Sequence, residues 1–260
     1  MKKIIAALGL LLTLAACASN SYVAPVAADR KATIKTIGVA SIVGDKMYFT
    51  RIGITIFDTE RTSGDTSAWG IDEGVTQALT ARLKDRYSIV PIAIDRTAAI
   101  NFEANKGMAA QEVVYNAITP PATPVDAYLV LVPTESRDFI SNSRFTLDGL
   151  GIFRSPGFGI QVYAACDLYL IDAKTKTLIG GGQLGFAIDN VSAVDFLKPY
   201  NLGAAMRGAE LAHRRVEDKL AQAKDWPAFT PEQLDKVKAG IMSLLNDSLD
   251  YPLKGIGLVQ

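Results

Sequence analysis

Apolar and polar positions along this chain alternate with a period of two in some stretches and recur at three and four residues in others, which predicts a mixture of strands and helices. Ile34 to Val43 is rich in apolar and β-branched residues, Gly44-Asp45-Lys46 interrupts it, and Met47 to Phe57 resumes it. That pattern predicts two strands joined by a hairpin turn. In the second, Tyr48, Thr50, Ile52, Ile54 and Ile56 share one face while Arg51, Gly53 and Thr55 share the other, as in a half-buried strand. Residues 58–69 are almost wholly polar and predict an exposed loop. Ile71, Val75, Ala78, Leu79 and Leu83 then recur at helical spacing, and the helix is expected to end near Tyr87.

Ser88 to Ile94 predicts a strand, with Pro91 suited to an edge or an irregular position. A second helix is expected within residues 103–118, with Met108, Val113, Val114 and Ile118 inward and Thr119-Pro120-Pro121 closing it. Ala127 to Val132 is apolar on both faces, which suits the centre of a sheet covered on both sides. Residues 134–159 are polar and dotted with glycine, and predict a long functional loop. A hairpin follows, with Ile160, Val162, Ala164, Cys166, Leu168 and Leu170 on one face, Gln161, Tyr163, Asp167 and Tyr169 on the other, and a return strand from Thr177 to Ile188. Two helices are expected to end the chain. The first, about residues 203–224, carries Met206, Ala209, His213, Val216 and Leu220 on one stripe; the second opens with Thr230-Pro231-Glu232-Gln233, a capping box with proline at the first helical position. The order β-β-α-β-α-β-β-β-α-α predicts an α/β fold, a mixed β-sheet covered by helices with a C-terminal helix pair.

The N-terminus changes this picture from a fold to an address. Met1-Lys2-Lys3 precedes an apolar run from Ile4 to Ala16 broken only by Gly9 and Thr13. Its 13 residues fall short of the roughly 20 that a membrane-spanning helix needs, so it reads as the leader of an exported protein. Leu14-Ala15-Ala16-Cys17 resembles the lipobox of bacterial lipoproteins. That resemblance implies cleavage before Cys17, a diacylglycerol thioether on its sulfur and acylation of its new amine. Two or three acyl chains hold a protein on a bilayer far more firmly than one. Ala18, where an aspartate would favour inner-membrane retention, points to the outer membrane and its periplasmic face. Residues 1–16 are therefore a cleaved signal peptide, residues 17–32 a lipid anchor and flexible tether, and residues 33–260 one α/β domain.

Composition narrows the chemistry. Lys plus Arg number 27 and Asp plus Glu 27, so no basic excess draws nucleic acid. One histidine and two cysteines cannot furnish a four-ligand Cys/His zinc site or a disulfide scaffold, and no metal or cofactor is expected. Gly180-Gly181-Gly182-Gln183-Leu184-Gly185 satisfies G-x-G-x-x-G but sits in a hairpin arm, where close strand packing explains it better than a dinucleotide. His213 lies on an apolar stripe with no nucleophile motif to serve, and Cys166 is on a core-facing position that disfavours thiolate. The acidic pairs Asp72 with Glu73 and Glu135 with Asp138 are the candidates for acid and base chemistry on a glycan. In the expected loop, Phe153 and Phe158 together with Arg144 and Arg154 are the candidate partner contacts, apolar and arginine residues being enriched at interfaces.

The lipobox, Ile37-Gly38-Val39-Ala40, Ala127-Tyr128-Leu129-Val130 and Asp167-Leu168-Tyr169-Leu170-Ile171-Asp172 before a Lys-Thr turn resemble a group of envelope proteins. The group comprises the curli-secretion-channel lipoprotein family, the amino-terminal domain of the Tol translocation protein, and the lipoprotein activators of peptidoglycan synthases. The resemblance covers residues 34–190 and carries no site residue. The expectation is a non-enzymatic binding or assembly factor on the outer membrane, in contact with lipid through Cys17 and with another envelope protein, and able to form a homo-oligomer. The alternatives are a tethered carboxylate enzyme on an envelope glycan or lipid, and a subunit of an oligomeric secretion pore built with residues 47–57 or 134–159.

Overall fold

The computed structural model describes residues 25–53, 59–100, 108–137, 146–155, 159–187, 209–215 and 229–260. After a short helix α1 (Ala28–Thr33) come β1 (Thr36–Ser41), β2 (Lys46–Arg51), β3 (Glu60–Asp65), α2 (Ile71–Leu83), β4 (Ser88–Pro91), β5 (Ala93–Ile94), α3 (Arg96–Ile100), α4 (Ala110–Ala117), β6 (Ile118–Thr119), β7 (Ala127–Pro133), β8 (Glu135–Arg137), β9 (Thr146–Ser155), β10 (Gly159–Asp172), β11 (Leu178–Gln183), β12 (Gly185–Ala187), β13 (Ala209–Arg215), α5 (Pro231–Ser248) and α6 (Asp250–Gly255). An 11-stranded sheet runs β3-β2-β9-β10-β7-β1-β4, with β8, β11, β12 and β13 attached to its side. Strands β4, β1 and β7 are parallel to one another, as are β2 and β9, and the remaining pairings of this sheet are antiparallel. The fold is thus the expected α/β class with a mixed sheet and a C-terminal helix pair, α5 and α6.

The 14-residue strand β10 organises the sheet. Its first half, to Ala165, pairs with β9 on one side and β13 on the other; its second half, from Cys166, pairs with β7 and β11. The handover is closed by backbone bonds from Thr134 N–H to the Ala165 carbonyl (3.0 Å) and from Leu184 N–H to the Cys166 carbonyl (2.8 Å). Two wings therefore share one strand. On one face Leu129, Leu131, Leu168, Leu170, Met47, Phe49, Leu150 and Ile152 pack under α2, α5 and α6 as a continuous core. On the other, Tyr128, Val130, Val132 and Ile171 pack against Ala99, Val114 and Ala117 of α3 and α4. Strand β7 is buried on both faces, as its unbroken apolar run requires.

Several elements differ from expectation. Gly44-Asp45 does turn the chain, but β1 and β2 are not neighbours: the turn carries the chain from one wing to the other. Residues 60–65, expected as loop, form β3, whose polar side chains suit an edge paired on one side only. Within residues 203–224, the expected helix, Ala209–Arg215 is instead β13, paired with both β10 and β12. Residues 28–32, expected within the tether, belong to α1, and Val26 is already buried, its N–H donating to the Ile256 carbonyl at 3.3 Å. Helix α2 ends at Leu83, short of the expected end near Tyr87, and α4 lies within residues 103–118 as expected, with Met108 outside it and exposed.

Residues 149–159, expected as the heart of a mobile loop, lie largely in β9 and the start of β10. Their glycines have specific reasons. Gly149 has φ +51°, and a Cβ on Gly151 would lie 2.4 Å from the Tyr163 hydroxyl oxygen. Tyr163 is the direct cross-strand partner of Gly151, so its ring covers the bare backbone and is itself fully buried. The glycines of β11 behave similarly: a Cβ on Gly180 would meet Val26 at 3.0 Å and Ile256 at 3.2 Å, and one on Gly181 the Leu168 carbonyl oxygen at 2.7 Å. They admit close packing, and G-x-G-x-x-G marks no nucleotide loop.

Candidate functional site at the fork of the sheet

The carboxyl ends of β1 and β7 meet the start of β2 and of β9 where the two wings part. Helices α2 and α4 lie on opposite faces on either side of β1, so this is the switch point of the parallel part of the sheet, where such folds leave a crevice. A cleft of about 290 Å³ opens here, lined by Ile42, Asp45, Tyr48, Ile100, Glu135 and Asp148 among others. A shallower recess of about 440 Å³ adjoins it at the ends of β1 and β4, over Glu73 and Arg96. A third, mainly apolar hollow of about 130 Å³ lies under Ile100 and Met108, with Tyr169 at its polar side. Ile100 and Met108 are exposed to 42% and 38%, unusual for side chains of their size and kind among the described residues.

Asp72, in the first turn of α2, fixes the floor between the first two recesses. Its carboxylate accepts from Ser41 Oγ (2.6 Å), Val43 N–H (2.9 Å) and Gly44 N–H (3.1 Å to the nearer oxygen), and pairs with Arg96 Nη2 at 2.7 Å. Gly44 is required for this approach, since a Cβ there would lie 2.8 Å from Asp72 Oδ2 and 2.9 Å from Ile71 Cβ. Arg96 also pairs with Asp45, and both carboxylates hold its guanidinium protonated against the opposing effect of burial. On the far lip, Arg61 pairs with Asp148 and stacks over the Tyr48 ring at 4.1 Å, with Lys46 5.0 Å from the same ring. Asp148 and Glu135 are directly opposed across the β8–β9 ladder. One oxygen of Asp148, Oδ1, is buried without a hydrogen-bond partner.

Behind the apolar hollow, burial raises the Asp167 carboxyl above the ordinary carboxylate range, with hydrogen bonds from Thr134 and Tyr169 acting the other way. The Tyr169 phenol is in turn raised by its own burial and by the Asp167 charge. Cys166 is a free, fully buried thiol, and burial raises its pKa as the core-facing position implied.

The structure separates the residues singled out in the sequence. Phe153 is fully buried between Ile52, Leu147, Tyr163 and Ala165, so it is a core side chain and not a partner contact. Arg154, next along the strand, is half-buried. Arg144, Phe158 and Asp138 lie outside the described residues, as does Cys17. Asp72 is occupied by the β1–β2 turn while Glu73 is exposed, so that pair does not converge. His213 lies on β13 in register with Tyr163 and not on a helix stripe. What the sequence left unseen is the Asp45–Arg96–Asp72 chain; its one outward sign is an acidic residue in the first turn of α2, directly after a left-handed Gly70.

Among the described residues no helix is long and apolar enough to cross a membrane. Residues 1–18 match the prokaryotic membrane lipoprotein lipid attachment site. No curated protein matches the chain. The attachment-site match supports a bacterial lipoprotein anchored to a membrane through an acylated cysteine.

Proposed function

We propose that this lipoprotein is a non-enzymatic binding or assembly factor of the bacterial envelope, anchored by Cys17 in the outer membrane with its body in the periplasm, and that the fork cleft receives another envelope protein. The observation that carries this reading is the state of the cleft's ionic groups. Asp72 serves the fold through four partners, Asp45 is held by Arg96, and Asp148 by Arg61. Such a site is shaped and charged while Asp45, Asp72 and Asp148 are engaged in pairing, which suits recognition more than proton transfer. Exposed Ile100 and Met108 beside it supply the apolar area that a contact needs.

Photo-crosslinking in cells from positions 46 and 135, on the exposed lips of the cleft, tests the proposal. A discrete adduct that is absent when the photoreactive group is moved to Lys174 supports it. Recovery of partner-free monomer from every position overturns it.

A tethered enzyme is the second reading, favoured by the opposed Glu135 and Asp148 and by the unpaired Asp148 oxygen. Loss of a measured glycan-cleaving activity in Glu135→Gln and Asp148→Asn, with folding intact, would establish that reading in place of the first. The pore reading requires strands to leave the body. Residues 47–51 and 146–155 are paired in the body's own sheet, and Met47, Phe49, Leu147, Leu150 and Ile152 are fully or almost fully buried there, which weighs against it.

A further inference from the structure

Strands β1, β4 and β7 begin at one pole of the body and end at the cleft, where β2 and β9 begin, and charge is sorted between that pole and the cleft. At the starting pole lie the end of α1, the loop into β1, the turn from α2 to β4, the turn from β10 to β11 and the end of α6. These elements are tied together there. Arg30 donates to Asp172 Oδ2 (2.5 Å) and to the Asp126 carbonyl (3.0 Å), Lys31 to the Gly257 carbonyl (3.3 Å), and Arg86 to the Leu258 carbonyl (3.4 Å), while Ser88 N–H donates to the Lys35 carbonyl (2.8 Å). Their exposed cations are Lys35, Lys84, Arg86, Lys174, Lys176 and Lys254; the exposed acids among them are Asp29 and Asp85. Arg82 and Asp250 in the same region pair with each other. Around the cleft the balance reverses among the described residues, with Asp45, Asp65, Glu73, Asp95, Glu135 and Asp148 against Lys46, Arg61 and Arg96.

The chain enters the body at the basic pole. Eight residue steps separate Cys17 from Pro25, and fully extended they reach at most about 29 Å. Val26 is already fixed against Ile256, so the anchor joins the body at the pole whose loops carry the six exposed cations. A lipid-anchored body on so short a connection meets the headgroup layer continually, and basic residues within a Debye length of anionic lipid are drawn to it.

We infer that the basic pole is a second membrane contact: Lys35, Lys84, Arg86, Lys174, Lys176 and Lys254 dock the body on anionic phospholipid headgroups of the leaflet that holds the acyl chains, and the cleft then faces away from that membrane. This rests on the lipoprotein reading above but adds an orientation to it. The acyl chains alone would leave the body free to turn about its tether; the six cations give it a preferred face.

The test uses the full acylated protein, its acylation verified by intact mass, in vesicles of phosphatidylcholine with or without about one third phosphatidylglycerol and a headgroup-attached quencher. A fluorophore is placed at Thr175→Cys on the basic pole or at Thr97→Cys beside the cleft. Quenching at position 175 several-fold above that at 97 is expected in phosphatidylglycerol vesicles. The preference should disappear in phosphatidylcholine, at 0.5 M salt by screening, and in the triple variant Lys35→Glu, Lys174→Glu, Lys254→Glu. Equal quenching at the two positions, or a preference indifferent to lipid charge, salt and the triple variant, overturns the inference. Folding of that variant is checked by circular dichroism; a second reversal, Lys84→Glu with Lys174→Glu, must give the same loss if the first unfolds. A chain that carries no acyl groups yet keeps the phosphatidylglycerol-dependent quenching at 175 supports the docking pole while refuting the anchor, and one that shows neither refutes both.

Discussion

At the residue scale, the side chains that decide most are those around Asp72. Replacing it with alanine strands the N–H groups of Val43 and Gly44 and the hydroxyl of Ser41 in a buried place and leaves Arg96 with one carboxylate. The expected loss is about 3 kcal/mol, since each orphaned buried donor costs on the order of 1–3 kcal/mol and part is recovered by water. Urea unfolding of Asp72→Ala measures it, and Gly44→Ala should reproduce a smaller part of it because its Cβ would displace the same carboxylate. Asp167 gives a pH signature of the opposite kind to most paired carboxylates. Burial raises its folded pKa above the unfolded value of about 3.9, so the folded state holds its proton longer than the unfolded one does. Its contribution is therefore full below that unfolded value and is lost as pH rises through the folded pKa. Asp167→Asn should gain stability relative to the native protein between pH 4 and pH 7, read from denaturation midpoints at both; a constant difference across that range would refute the assignment. Asp172 should show the reverse. Burial acts to raise its pKa, but the N–H groups of Thr175 and Lys174 and the Arg30 guanidinium outweigh it, so the stability it contributes is lost as pH falls through its lowered pKa.

At the element scale, the capping box of α5 is realised as expected: the Gln233 N–H donates to Thr230 Oγ1 at 3.3 Å and the Thr230 N–H to Gln233 Oε1 at 2.8 Å. Thr230→Ala should cost about 1 kcal/mol, seen as a lowered Tm. The Gly151–Tyr163 pair should behave as a unit. Gly151→Ala drives a methyl into the buried ring and should cost roughly 2–3 kcal/mol, whereas the same change in a Tyr163→Ala background should cost much less. The elements legible from sequence were those whose burial is written into their own residues: β7, apolar at every position to Val132, and β10, with apolar residues at every second position from Ile160 to Leu170. Those that were not owe their form to neighbours. Strand β3 is polar because it is an edge, and its pairing to β2 is made by backbone. Strand β13 carries apolar residues at spacings that also suit a helix, and is a strand because β10 and β12 present unpaired edges to it. The glycines of β9 read as loop because the ring that requires Gly151 lies on a different strand. The candidate site was hidden for the same reason, since Asp45, Asp72 and Arg96 belong to a turn and two separate helices.

At the scale of the whole molecule, a basic pole where the described chain begins and a cleft with acidic lips make the body directional. Cys17→Ser should move the protein from the membrane to the soluble fraction of a cell lysate, because the acyl chains, and not the modest charge of the basic pole, supply most of the attachment. Removing residues 1–16 takes two lysines from the balance of 27 and 27, which leaves 25 positive against 27 negative side chains, so the basic pole exists by segregation of charge and not by excess. The hydrogen bond from Val26 to Ile256 has a consequence in time as well as in space. It joins the first fixed residue of the body to one near the end of α6, and Gly180 leaves room for both side chains against β11. The body can therefore close only once residue 256 is present to meet Val26, whereas the attachment site, ahead of Val26 in the chain, needs nothing from the far end to be recognised.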